Sequence, residues 1–209
     1  MSGLVIAVDG PAASGKSTLA SRLAADLGLH FLDTGLIYRA VGARVLGEGG
    51  DPDDAADAQV AAEGLAETDL ARPDLHTPEV SQAASKVAAH QDVRGVLLDY
   101  QRRFAAREPG AVLAGRDIGT VVCADARRKI FVTASVEERA RRRFEELRRR
   151  EAGVIYDTVL QDLRERDRRD QSRAVAPLKP AADAYVLDTT AMDTEMAFEA
   201  ARAFVIGNT

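Results

Sequence analysis

A three-layer α/β unit built around a mainly parallel sheet is the fold class this sequence predicts. Three observations carry it. Short apolar runs rich in β-branched residues alternate with segments of helical period. The runs are continuous, as in strands covered on both faces. No internal repeat or long linker divides the 209 residues into independent units. A chain of this length builds a core without disulfides, and its single cysteine, Cys123, allows none within the chain. With 46% apolar and 29% charged residues it has the composition of a folded globular domain. One cysteine and three histidines also make a structural zinc site a poor fit. The first residues carry no basic leader, and no stretch nears the roughly 18 apolar residues of a membrane span. A cytoplasmic protein without membrane association is expected.

Taken in order, Leu4 to Val8 reads as a buried strand, followed by a loop from Gly10 to Gly15. Lys16 to Leu27 repeats Leu19, Leu23, Ala24 and Leu27 at helical spacing, and Gly28 closes that helix. Leu29 to Leu32 is a second strand ended by Asp33. Thr34 is the expected cap of the next helix, which carries Tyr38, Val41, Val45 and Leu46 and stops at the glycines from Gly47. Residues 51–78 lack an alternating β-branched run, so helix around Ala55 to Leu65 and loop are expected there. One long helix is predicted from Glu79 to Arg107, ending at Pro109-Gly110. Ala111 to Ala114 and Lys129 to Val132 are further strands. Charged helices follow over Val136 to Glu151 and Val159 to Arg169, with a break at Gly153. A last strand, Ala184 to Leu187, precedes a C-terminal helix with Met196, Phe198 and Ala203.

The charges are unevenly placed. Arginine outnumbers lysine 24 to 4, and 12 arginines with eight acids lie between Arg139 and Arg173. Residues 48–79 hold ten acids against one arginine, Arg72. A net charge of -5 argues against polynucleotide binding. Arginine grips phosphate with a planar fork, so a small phosphorylated ligand is expected. A solvated helix of Glu–Arg pairs is the competing account of residues 139–150.

The sharpest motif is Gly10-Pro11-Ala12-Ala13-Ser14-Gly15-Lys16-Ser17, a phosphate loop between a strand and a helix. Its glycines let backbone N–H groups turn toward phosphate oxygens, and the helix N-terminus adds partial positive charge. Lys16 reaches the β- and γ-phosphates of a nucleotide such as ATP, and the Ser17 hydroxyl is a Mg²⁺ ligand. Gly10 to Thr18 form the ATP-binding set, with local packing the alternative for Thr18. No [NT]-K-x-D element is present, which excludes a GTPase. His30, His76 and His90 are read as structural or exposed.

Three further segments carry a resemblance. They are Asp33-Thr34-Gly35-Leu36-Ile37-Tyr38-Arg39, Gly115-Arg116-Asp117-Ile118-Gly119-Thr120-Val121-Val122, and Arg166-Asp167-Arg168-Arg169-Asp170-Gln171-Ser172-Arg173-Ala174-Val175-Ala176-Pro177-Leu178. With the phosphate loop they resemble, over nearly the whole chain, the bacterial cytidylate kinases of the nucleoside-monophosphate kinase family. The resemblance implies an adenylate-kinase-like P-loop NTPase fold with a five-stranded parallel sheet in a single domain. Residues 1–47, 79–135 and 174–209 would be core, 48–78 a nucleoside-monophosphate-binding insertion, and 136–173 an arginine-rich lid with flanking helices. It implies transfer of the γ-phosphoryl group of ATP to CMP or dCMP with Mg²⁺, by a monomer. Another nucleoside-monophosphate kinase and a nucleotide-binding module without turnover remain the alternatives.

Residue by residue, the resemblance puts Thr34 near the cytosine, Tyr38 at the acceptor nucleotide and Arg39 on its phosphate. Ser85, Arg94, Arg116 and Asp117 belong to the base and acceptor pocket, and Asp170 to the sugar hydroxyls. Arg166 and Arg173 would hold phosphates once the lid closes. Lys16, Arg116, Arg166 and Arg173 form the implied catalytic set. Asp33 is read either as a buried structural group or as a partner of Mg²⁺. The sequence departs from the family twice. Ala114 stands where relatives carry an acid facing the magnesium, leaving Ser17 with Asp9 or Asp33 as protein ligands. The insertion is short and lacks the family's small antiparallel sheet.

Overall fold

The computed structural model describes residues 3–149 and 153–207. Five strands, β1 (Leu4–Asp9), β2 (His30–Asp33), β3 (Gly110–Gly115), β4 (Arg128–Thr133) and β5 (Tyr185–Asp188), form one sheet. Its order is β2-β3-β1-β4-β5 and every pairing is parallel. β1 therefore sits at the centre, and the chain leaves the carboxyl ends of β1 and β3 side by side, with Val8 in register with Ala114 and Asp9 with Gly115. In open parallel sheets that is the end where ligands bind.

The strands need cover on both faces, and alternate residues divide between two cores. On one face Ile6, Val8, Val112 and Ala114 pack under α1 (Lys16–Leu27) and α8 (Thr194–Ile206). On the other, Ala7, Ala111 and Leu113 pack against α2 (Thr34–Gly47), α3 (Ala55–Glu63) and α5 (Gln91–Ala105). α4 (Pro78–Val87) lies on α2. α6 (Val136–Arg148) and α7 (Tyr156–Ser172) form a hairpin with its own small core, which seats on Ala12 and Ala13 of the phosphate loop. The three-layer α/β class and the five-stranded parallel sheet are as expected.

Local structure differs from expectation in three places. Asp33, not Thr34, caps α2: its Oδ1 accepts from the Gly35 amide at 2.9 Å. Thr34 is already helical, and its hydroxyl donates instead to the Ala114 carbonyl at 2.8 Å. The single helix expected from Glu79 to Arg107 is two helices, because Ala88 ends α4 and His90 opens α5. Apolar spacing alone does not register such a break, since Val87 and Val93 both stay in the core. Third, residues Ile118–Val122 form a wide helical turn that no periodicity signals. The expected end of the helix from Val136, at Arg150 and Glu151, lies outside the described residues.

The acidic insertion is built by its aspartates. Asp54 caps α3 through the amides of Ala56 and Asp57, Asp57 accepts from the Asp51 amide, and Asp69 from that of Ala66. Two short turns, Glu67–Ala71 and Pro73–His76, complete it, and no strand occurs there among the described residues.

Candidate active site

The phosphate loop owes its shape to three residues. A Cβ on Gly10 would lie 2.1 Å from the Val132 carbonyl oxygen, so only glycine passes there. Ala13 and Gly15 adopt left-handed φ values of 58° and 87°, which turn the loop back over the start of α1. The Lys16 ammonium reaches back to donate to the Pro11 carbonyl at 2.9 Å. Residues 12–18 line a cavity of about 690 Å³, while Gly10 and Pro11, assigned with them from sequence, are not part of its lining. The Ser14 hydroxyl is buried without a hydrogen-bond partner.

Into the same cavity converge Arg39 from α2, Arg116 from the end of β3 and Arg166 from α7, with Asp33 the carboxylate that acts on Lys16. Burial, joined by repulsion from Arg116, Arg166 and Arg39, holds the Lys16 ammonium well below its usual range, with Asp33 pulling the other way. Burial and neighbouring guanidiniums bring Arg166 down to about 9, and burial lowers Arg39 too. The Nε atoms of Arg39 and Arg166 are buried with no hydrogen-bond partner. Around Lys16 three guanidiniums act against one carboxylate, with donors unspent, an arrangement shaped for an anion; the cavity wall also carries Arg22, Arg141, Arg142 and Arg143 with Glu138, Glu146, Asp162 and Asp193.

A smaller pocket of about 40 Å³ adjoins it, lined by Thr34, Tyr38, Ser85, Arg94, Asp117, Asp170 and Arg173. Arg116 and Arg166 line both and mark the junction. Asp170, only 1% exposed, ties the pocket together. It accepts from the Ser85 hydroxyl at 3.0 Å, Arg116 Nε at 2.7 Å and an Arg173 nitrogen at 2.6 Å. Burial opposes its ionisation, but Arg116, Arg173 and Arg166 outweigh that and hold the carboxyl well below the usual range. Arg94 pairs with Asp117 and lies 5.8 Å from the centre of the Tyr38 ring. The break between α4 and α5 lets Ser85 and Arg94 face this one pocket. Of the residues assigned to the acceptor from sequence, all line it except Arg39, which faces the larger cavity.

Asp9 is not positioned as a metal ligand: both its oxygens accept backbone amides, from Ile118 at 2.8 Å and Gly119 at 2.7 Å. Asp33 stands in register with Ala114, and both belong to the sheet face that carries the phosphate loop helix. Its carboxylate and the Ser17 hydroxyl line the large cavity together. No cluster of three or more His, Cys, Asp or Glu side chains exists among the described residues.

Several site residues escape sequence reasoning. Arg139, inside the run that could be read as a solvated helix, is 5% exposed. It donates to the Ala12 carbonyl at 3.2 Å and pairs with Asp167 at 2.6 Å, fixing the hairpin to the phosphate loop. Arg142 reaches the Thr189 carbonyl at 2.6 Å beside the same loop. Arg141 is exposed and pairs with Glu138 and Glu145, as the solvated account expects, although it and Glu138 also border the large cavity. His76 also lines the cavity, its Nδ1 accepting from Arg39 at 3.2 Å. Helical spacing gave no means to separate these from their surface neighbours.

A parallel sheet, a phosphate loop after its central strand and a cation-lined junction between two pockets define a P-loop phosphotransferase of the nucleoside-monophosphate kinase type. The cytidylate kinase family profile matches residues 6–204, and the chain belongs to that family. It is 60% identical over 204 residues to the cytidylate kinase of Paramagnetospirillum magneticum, covering 96% of this chain and 97% of that one. Identity to the cytidylate kinase of Granulibacter bethesdensis is 58% over 202 residues, with 97% and 96% covered. A crystal structure of an uncharacterized protein from Eubacterium ventriosum shares the fold, with a TM-score of 0.56, 14% identity and 94% of each chain covered. As a member of this family the chain is an enzyme that transfers a phosphoryl group to CMP or dCMP, and its substrates are small nucleotides. The family's phosphotransfer depends on ATP and Mg²⁺. No helix among the described residues is long and apolar enough to cross a membrane.

Proposed function

We propose that the reaction runs across the junction of the two pockets, with the γ-phosphoryl group of ATP passing from the Lys16 side to a CMP or dCMP phosphate beside Arg39. The observation that carries this is the convergence of Arg39, Arg116 and Arg166 on the cavity that holds Lys16, where Asp33 is the one carboxylate acting on that lysine. Phosphoryl transfer asks chiefly for alignment and for positive charge around the equatorial oxygens. The acceptor phosphate is already an anionic nucleophile, so no general base is required.

In this reading residues 10–18 hold the donor phosphates, with Lys16, Arg116 and Arg166 on the transferring group. Thr34, Tyr38, Ser85, Arg94, Asp117, Asp170 and Arg173 receive the nucleoside, and α6 with α7 act as the lid of a monomer. Ser17 and Asp33 would hold Mg²⁺, which binds through one or two protein oxygens plus phosphate and water. When bound, the ion supplies charge neutralisation on the phosphate oxygens. Cytosine offers an N4 donor with N3 and O2 acceptors, which Arg94 and Asp117 complement. Uracil reverses two of these, and one buried mismatch costs about 1–3 kcal/mol.

A coupled assay of the purified protein with ATP and each of AMP, GMP, UMP, CMP and dCMP tests the reading. CMP and dCMP should turn over fastest, with UMP trailing. Preference for a purine acceptor would assign the chain to another nucleoside-monophosphate kinase. Absence of turnover with any of them would make it a binding module.

A further inference from the structure

The turn from Ile118 to Val122 follows directly on Arg116 and Asp117, and it poses a hydrogen-bonding problem. Its internal bonds run from the Val122 amide to the Asp117 carbonyl at 3.2 Å and from the Cys123 amide to the Ile118 carbonyl at 2.7 Å. The opening amides, those of Ile118 and Gly119, have no acceptor inside the turn. Asp117 occupies the capping position, and aspartate is a residue type that normally fills that role with its own carboxylate. Here it makes no cap bond; its carboxylate is turned away to Arg94 on α5, in the acceptor pocket.

The orphan amides are met from another strand. Asp9, the last residue of β1, presents one oxygen to each: Oδ1 to Ile118 at 2.8 Å and Oδ2 to Gly119 at 2.7 Å. We propose that Asp9 is a positioning residue that caps this turn in place of Asp117 and so keeps the Asp117 carboxylate in the acceptor pocket. The inference rests on the reading of that pocket given above.

The fit is specific. Two N–H donors side by side ask for two acceptor oxygens, which a carboxylate supplies and an amide does not. A Cβ on Gly119 would stand 3.3 Å from Asp9 Oδ2 and 3.2 Å from the Lys129 side chain, so glycine gives the turn its close approach. Asp9 directly precedes Gly10, so one residue also fixes the acceptor turn relative to the phosphate loop. It is 5% exposed. Burial pushes its carboxyl up to about 7, with the two amides and Lys16 favouring the charged form and Asp117 opposing it. A buried carboxylate held in this way marks a geometric requirement rather than a gain in stability.

Steady-state kinetics of Asp9→Asn, Asp117→Asn and the double variant test the proposal. Asp117→Asn should raise the KM for CMP about tenfold, and Asp9→Asn should raise it by a similar factor. The KM for ATP should stay within about twofold, and the CMP-over-UMP preference should fall in both. The double variant should be no worse than the poorer single one, because both changes remove the same carboxylate from the pocket. A purely structural role predicts a loss of active enzyme at unchanged CMP KM; that result, or effects that multiply in the double variant, overturns the proposal. If Asp117→Asn alone leaves the CMP KM unchanged, the reading of the pocket is wrong and the proposal falls with it. Should Asp9→Asn fail to fold, Gly119→Ala strains the same bond with a single methyl group. It should raise the CMP KM severalfold and blunt the effect of Asp117→Asn; an unchanged CMP KM there overturns the proposal equally.

Discussion

Lys16 is buried, borders three guanidiniums and holds its proton less readily than an exposed lysine. Such a residue works against the fold and for the ligand. Lys16→Ala should lower turnover by about 10²–10⁴-fold, by analogy with loss of one oxyanion donor, while the melting temperature stays level or rises. Near-normal turnover in the folded variant would refute the assignment. Asp33 allows a cleaner separation. Its cap bond to Gly35 needs one oxygen acceptor, which asparagine retains. Asp33→Asn should therefore leave thermal stability nearly unchanged and raise the Mg²⁺ concentration for half-maximal activity severalfold. An unchanged midpoint in a Mg²⁺ titration at fixed ATP would remove Asp33 from the metal site. The phosphate loop was legible residue by residue because its chemistry is local. The role of Asp9 was not, since its partners lie 109 and 110 residues away.

At the scale of elements, α7 and the residue that ends it, Arg173, carry three of the site's charged groups with different surroundings. Arg166 borders both pockets and Arg173 only the smaller one; the Nε of each lacks a hydrogen-bond partner, but Arg173 donates through Nη2 to the Ser85 carbonyl at 3.1 Å and to Asp170. Lysine lacks the planar fork of arginine. Arg166→Lys should thus lower kcat by at least about tenfold with modest change in either KM, as for a contact strengthened in the transition state. Arg173→Lys should act mainly on the KM for CMP. Initial-rate measurements with each nucleotide varied in turn would show whether the two variants separate in this way. Strand positions and the helices α1, α2 and α8 were readable from apolar runs, capping residues and glycines. The break between α4 and α5 was not. The residues at the break, Ala88, Ala89 and His90, include no glycine or proline to mark it.

For the molecule as a whole, the clustered charges make stability depend on acid. The Asp170 carboxyl has a lowered pKa in the folded protein, so its contribution is present in full above the unfolded-state value near 4. It is lost as pH falls from there through the folded value. Asp170→Asn leaves three arginines without their shared carboxylate and should cost about 3 kcal/mol or more at pH 7. The gap between variant and parent should narrow below about pH 4 in denaturant titrations. A gap independent of pH would show that Asp170 acts through packing rather than charge. The parallel sheet followed from the alternation of strands and helices; its strand order is carried by no local signal. How close α7 approaches α4 did not follow either, because the pairing of Asp170 with Ser85 spans 85 residues and leaves no periodic trace.

If the small pocket receives the nucleoside as proposed, the same carboxylate competes with the substrate for its donors. Asp170 clasps Ser85, Arg116 and Arg173, three of the groups that line the small pocket. An incoming nucleotide must take those donors from an internal competitor, so its apparent affinity is the intrinsic one reduced by the clasp's own strength. Asp170 would then both complete the pocket and set the free energy that an arriving nucleotide has to displace.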